Sequence, residues 1–292
     1  MTTTPGDSAA DHAASSASTA LARTYRRLVA SCEALHMTVA APGAAAAAPT
    51  PGPHLDGAEL TESREALDAF VDAEAGRIRE RHGHMPRRDV AASRALHDYL
   101  WSVSLLMSGV WYLERRVPRV HPREVRVELA TGAFEVVPGS GFACLPDDPA
   151  AGRMPGARVV ADEEALRAEL RAAVADHVRP LLTAIGPHLR RGPRALWGMA
   201  GDDLVSAVWY LGRVLDQEER AVQAATELLP AGIPPFPGGA GFRLLTGRDG
   251  KRYPTRNRLG CCLYYTLDAA QACLNCPRTG DTERLRRLEG DG

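Results

Sequence analysis

The sequence predicts a mainly α fold of α+β type: a helical domain with two small β-hairpin regions and a cysteine-rich segment at the C-terminal end. Three observations carry this. Between residues 60 and 229, apolar side chains recur every three or four positions, as one buried helix face requires. Two pairs of short, strand-like runs flank Thr131-Gly132 and Arg248-Asp249-Gly250. Four of the six cysteines lie between residues 261 and 276.

Taken in order, residues 1–59 are Ala-, Pro- and Ser-rich and are expected to be mostly disordered, with one helix over Ala20 to Met37 on the spacing Leu21, Tyr25, Leu28, Cys32 and Leu35. Ala40 to Pro53 reads as a linker. Residues 60–240 form the helical domain. Thr61 is the expected cap of a helix to about Arg81, and Asp89 opens a long helix to about Arg116, ended by Val117-Pro118. Glu124 to Leu129 and Ala133 to Val137 form a hairpin, with further short strands at Gly141 to Leu145 and Ala157 to Ala161. Asp162 starts a helix that Pro180 should kink and Gly186-Pro187 should stop. Asp202 or Asp203 caps the next helix, and Gln217 to Leu229 is another. Residues 241–292 hold the second hairpin, Gly241 to Thr246 with Arg252 to Thr255, and the cysteines. Ser108-Gly109-Val110-Trp111-Tyr112-Leu113 resembles Ser206-Ala207-Val208-Trp209-Tyr210-Leu211, which reads either as a pseudo-repeat or as chance likeness of two core helices.

Composition narrows the function. A net charge of -1 over 292 residues gives no argument for nucleic acid or for an anionic membrane, and Lys251 is the only lysine. The first residues lack a basic start and an apolar core, so no secretory leader is expected. The longest nearly apolar run, Leu100 to Leu113, is shorter than the roughly 20 residues a membrane helix needs. A cytoplasmic location follows as the expectation, and in that reducing compartment clustered cysteines read as metal ligands or redox groups.

The pattern is C-C-x10-C-x2-C, formed by Cys261, Cys262, Cys273 and Cys276. Four thiolates are the usual ligands of a [2Fe–2S] cluster, but zinc also favours all-cysteine sites, and a dithiol switch fits the spacing too. Adjacent cysteines need a turn if both are to face one centre, and Gly260 offers the freedom for it. Cys32 and Cys144 have no partner in sequence and read as buried apolar fillers.

The run Arg256-x-Arg258-x-x-Cys261-Cys262-Leu263-Tyr264-Tyr265…Cys273-x2-Cys276-Pro277 resembles the end of the FhuF-like ferric siderophore reductases, and Arg194-Ala195-Leu196-Trp197-Gly198 resembles an upstream segment of that family. The resemblance implies that these four cysteines bind a [2Fe–2S] cluster, that residues 60–240 are the reductase-like domain, and that the substrate is a ferric siderophore, most often of hydroxamate type. Reduction suits such a site: Fe(III) is held by hard charged oxygens, which hold Fe(II) less well. No Gly-rich dinucleotide fingerprint follows a strand, so electrons are expected from an external ferredoxin or ferredoxin reductase. A zinc-stabilised binding protein and an iron–sulfur sensor without reductase activity are the rival readings.

Other residues have bland and functional readings side by side. Arg256 and Arg258 read as a solvated basic strand end or as groups that tune the centre. Tyr264 and Tyr265 flank the site, one of them expected in the core. Trp111, Trp197 and Trp209 read as core more readily than as a pocket lining, and His82-Gly83-His84 as a helix end more readily than as a metal pair. After Pro277 only Arg-rich, solvated chain is expected, leaving the site uncovered.

Overall fold

The computed structural model describes residues 6–42, 54–248, 250–268, 272–273 and 275–290, with side chains from Ala17 onward. Most of the expected linker, residues 43–53, and Asp249 of the second turn lie outside these residues. The fold is mainly α with small sheets of two to four strands, as the apolar periodicity predicts. The chain divides into two compact units, one of Met1–Phe70 with Ser102–Leu181, the other of Val71–Trp101 with Leu182–Gly292.

In the first unit, helix α1 spans Gly6–Ser31. It begins well before the expected Ala20 and ends before Met37, which opens strand β1, Met37–Val39. The small residues before Ala20 are expected to be disordered, yet they lie in α1 from Gly6 onward, and Ala17 and Ser18 are buried like Leu21, Tyr25 and Leu28 of the expected helix. Alanine is the best helix former and fits where backbones come close, so a run of it extends a helix that has somewhere to pack. Strands β2 (His54–Asp56), β4 (Val125–Glu128) and β5 (Phe134–Val136) join β1 in the order β1-β5-β4-β2; β3 is Arg116–Pro118. The expected hairpin is β4–β5, antiparallel with Val125 opposite Val136. A second sheet orders β3 with β6 (Phe142–Cys144) and β7 (Ala157–Val159), the β6–β7 pair being parallel.

The helix expected from Thr61 is two, α2 (Glu59–Glu62) and α3 (Arg64–His82). Ser63 between them is extended, and its Oγ accepts the Ala66 N–H at 3.1 Å, so Ser63 is the cap. Helix α4 is Arg88–Glu114, and α5 is Glu163–Leu189, capped as expected by Asp162, whose Oδ1 accepts the Ala165 N–H at 2.9 Å. Helix α5 passes through Pro180 and Gly186-Pro187 to Leu189. Buried Leu182, Ile185 and Leu189 hold it in helical form beyond the expected stop.

In the second unit, α6 (Pro193–Val214) and α7 (Glu218–Leu228) precede the hairpin of β8 (Phe242–Thr246) and β9 (Arg252–Arg256), and α8 (Asp281–Gly290) closes the chain. Helix α6 starts at Pro193, a residue suited to the first helical position, so Asp202 and Asp203 are interior residues and not caps. Trp209 donates Nε1–H to Glu218 at 2.7 Å and meets Phe242 edge-on, and Trp197 meets Phe236 edge-on. These tryptophans pack. So does Trp111 in the first unit, which is buried. Among the described residues no helix is long and apolar enough to cross a membrane.

Candidate metal centre

The cysteine segment is anchored before it begins. Arg256, the last residue of β9, is 1% exposed and donates Nε–H to the Ala240 carbonyl, Nη1–H to the Asp202 carbonyl and Ser206 Oγ (each 3.0 Å), and Nη2–H to Asp202 Oδ1 at 2.8 Å. Buried Arg258 donates Nη2–H to Asp203 Oδ1 at 2.8 Å. The second oxygen of Asp202 accepts the Gly260 N–H at 2.6 Å, and that of Asp203 lies 2.9 Å from His97 Nδ1 on α4. Successive helical residues point about 100° apart. Asp202 therefore holds Arg256 and Gly260 while Asp203 holds Arg258 and His97.

Burial works against these ions. It pushes the Asp202 carboxyl up and the Arg256 guanidinium down, opposed in each case by the partner's charge. Burial also opposes ionisation of Asp203, but the His97 and Arg258 charges carry it net below its usual range. The solvated strand end and the helix cap are both overturned here, for one reason. Buried charges persist only when paired and hydrogen-bonded, and each of these is the other's partner. An Asp-Asp pair inside an apolar helix, with an Arg-x-Arg elsewhere, was the available signal.

Gly260 serves a different purpose from the expected one. A Cβ there would lie 2.6 Å from Met199 Cγ and 3.0 Å from Met199 Cα, so glycine lets the segment press against the α6 backbone. The left-handed turn is made by Leu263, with φ 64°, and its N–H donates to Cys261 Sγ at 3.4 Å. A short 3-10 turn, Tyr264–Thr266, follows.

Three arginines hold the backbone around the cysteines. Arg191 donates to the Cys261 carbonyl at 2.6 Å. Arg284, 2% exposed on α8, donates to the carbonyls of Cys276 (3.1 Å) and Arg256 (3.2 Å). Arg287 donates to the Ala272 carbonyl at 2.6 Å. The C-terminal residues are thus a helix fastened to the segment, and not the solvated tail the composition suggested. A stretch rich in Arg looks solvated until its acceptors, here backbone carbonyls, are brought to it by the fold.

All four thiols are free of disulfides; Cys262 and Cys276 are buried, Cys261 and Cys273 half-buried. The Cys262 and Cys273 thiols hydrogen-bond to each other, and Cys276 is near enough to Cys261 and Cys273 for their charges to interact. The bond from Cys273 holds Cys262 well below the ordinary thiol range against desolvation, with the charges of His97 and Arg94 adding to it. Burial pushes Cys261 up. Arg94, on α4, donates to the Cys262 sulfur and pairs with Asp98 at 2.7 Å, its guanidinium 5.1 Å from the Tyr264 ring centre. Both tyrosines are half-buried, so neither enters the core: His82 meets Tyr264 edge-on and Arg278 covers Tyr265.

Among the described residues no three His, Cys, Asp or Glu side chains are arranged to hold a metal ion. The donor set nonetheless suits a four-thiolate group, and two spare donors support the fit. Among the described residues the buried Nε–H groups of Arg258 and Arg284 have no hydrogen-bond acceptor, Asp202 Oδ2 standing 3.8 Å from that of Arg258, and both guanidiniums act electrostatically on Cys273, Arg258 also on Cys262 and Arg284 also on Cys276. An anionic cluster carries sulfur acceptors of the matching charge.

His82 ends α3, with its carbonyl 3.1 Å from His84 Nδ1, as a helix end and not a metal pair. Cys32 and Cys144 are fully buried, and burial pushes the Cys32 thiol up to about 11. Sequence reasoning missed Arg94, His97, Arg191 and Arg284, which lie between 8 and 167 residues from the nearest of the four motif cysteines; no local pattern marks them.

A family model described as the FhuF 2Fe-2S C-terminal domain matches residues 258–278. No curated protein matches the chain. The matched residues begin at Arg258, the partner of Asp203, and run past all four cysteines. The chain therefore carries, over residues 258–278, the C-terminal 2Fe–2S domain of the FhuF-like family, whose cofactor is a [2Fe–2S] cluster.

Proposed function

We propose that this protein is a cytoplasmic ferric siderophore reductase: it passes one electron to siderophore-bound Fe(III), releasing exchangeable Fe(II). The observation that carries the reading is the segment of free Cys261, Cys262, Cys273 and Cys276 within the matched 2Fe–2S domain, ringed by arginines that stabilise added negative charge. When bound, a [2Fe–2S] cluster supplies single-electron transfer, and the four cysteines are its ligands in this reading. The chain's own residues supply position and electrostatics. Arg256, Arg258, Asp202 and Asp203 fix the lead-in strand; Arg191 and Arg284 fix the carbonyls of Cys261 and Cys276. Cys261 and Cys273 are the half-exposed members, so electrons enter and leave on their side. A hydroxamate-bound iron is the favoured substrate, with an external ferredoxin-class donor.

The test is direct. Anaerobically purified protein should be red-brown, should give a rhombic EPR signal on reduction, and should drive Fe(II) capture from ferric hydroxamates when a photochemical donor is supplied. Ser at any of the four cysteines should lower iron and sulfide content, and Ser at Cys32 or Cys144 should leave it unchanged. Colourless protein holding stoichiometric zinc overturns the reading.

A further inference from the structure

Beside the cysteines the chain presents a basic turn with no carboxylate paired to it among the described residues. Helix α5 ends at Leu189, and α6 begins at Pro193; Arg190 and Arg194 on this turn are exposed and Arg191 is half-buried. None of the three has a carboxylate partner among the described residues, although ion pairs engage arginines elsewhere, among them Arg115, Arg123, Arg126, Arg243 and Arg286. Sequence sharpens the contrast. No Asp or Glu occurs between Asp176 and Asp202, nor between Asp249 and Asp268.

The turn is tied to the site. Arg191 donates to the Cys261 carbonyl at 2.6 Å, so this positive charge is in contact with a half-exposed cysteine. An apolar side chain stands beside it: Leu259 is 56% exposed, and its Cβ is 3.2 Å from where a Gly198 Cβ would be. Gly198 is one helical turn past Arg194, on the same face of α6. Exposed cations around an exposed apolar residue have the composition of a protein-docking rim and centre.

We infer that Arg190, Arg191, Arg194 and Leu259 form the face on which an acidic one-electron donor protein docks. The inference rests on the reductase reading and names the entry side of the same site. Charge complementarity chooses the occupant. Three hydroxamate groups neutralise the Fe(III) they bind, so a fixed positive field does little for that substrate. An acidic protein is steered by such a field and held by it, more strongly at low salt. The step is one electron passing from the reduced donor, which is oxidised, to this chain's oxidised centre, which is reduced; no bond is made or broken and no proton moves.

Arg190→Glu and Arg194→Glu test this in the cluster-loaded protein, singly and together, with Arg190→Lys/Arg194→Lys as the conservative rescue. Arg191 is left intact because it also holds the segment. The probe is a photoreduced, strongly acidic [2Fe–2S] ferredoxin, followed by stopped flow at low and high salt. At low salt the double charge reversal should slow reduction at least tenfold, the lysine pair should keep most of the rate, and wild type should lose rate as salt rises. Iron content, visible spectrum and reduction by dithionite at high salt should match wild type. Unchanged rates with ferredoxin in a coloured protein overturn the inference alone. So does a slowed ferric hydroxamate step with a normal ferredoxin step, which assigns the face to the substrate. Colourless wild type overturns the reductase reading, and this inference with it.

Discussion

Arg256 and Asp202 meet at 2.8 Å with side chains 1% and 2% exposed, an ion pair almost wholly removed from water. Removing one member strands the other. Asp202→Ala should destabilise the protein by about 3–5 kcal/mol, whereas the double variant Asp202→Leu/Arg256→Met should cost far less. Denaturant unfolding of the single and double variants checks this, and an equal loss in both would refute the pairing argument.

Arg94 donates to the Cys262 sulfur, and reduction adds negative charge there. In the cluster reading, Arg94→Gln should lower the midpoint potential, on the order of 60 mV for a tenfold change in the one-electron equilibrium. EPR-monitored titration measures it. Arg88→Gln, on the same helix but paired with Asp72 at an exposed site, should leave the potential where it is.

Arg284 is the buried link between α8 and the carbonyls of Cys276 and Arg256. Arg284→Leu should therefore speed loss of iron and sulfide in air severalfold without shifting the spectrum of freshly loaded protein. Bleaching at the wild-type rate would show that α8 does not retain the cofactor.

His177 in the first unit predicts an acid-sensitive stability. Its Nδ1 is 2.8 Å from the Val120 carbonyl, and burial, opposed by that bond and aided by His121, lowers its pKa to about 4. The unfolded chain binds a proton near pH 6.5 and the folded one does not until about 4. The unfolded state therefore holds more protons between these values, and stability falls as pH drops through that window, by about 3 kcal/mol in all. Below it this group adds no further change. Urea midpoints for wild type and His177→Gln from pH 7 to pH 4 should diverge in slope, the variant being flatter.

The sequence by itself determined the elements whose information is local. The β4–β5 and β8–β9 hairpins follow from alternation and turn residues, and α4 and α7 from apolar periodicity. The cysteine motif is likewise legible as a string, because its four donors lie within a single short segment. What only the tertiary structure decided is electrostatic and long-range. Asp202 and Asp203 look like a cap until α6 is seen to begin at Pro193, and Arg256, Arg258 and Arg284 look solvated until their acceptors, 5 to 55 residues away, close around them. A buried charge is tolerable only when a partner is brought to it through folding, so its burial is a property of the pair and cannot be read from either residue alone.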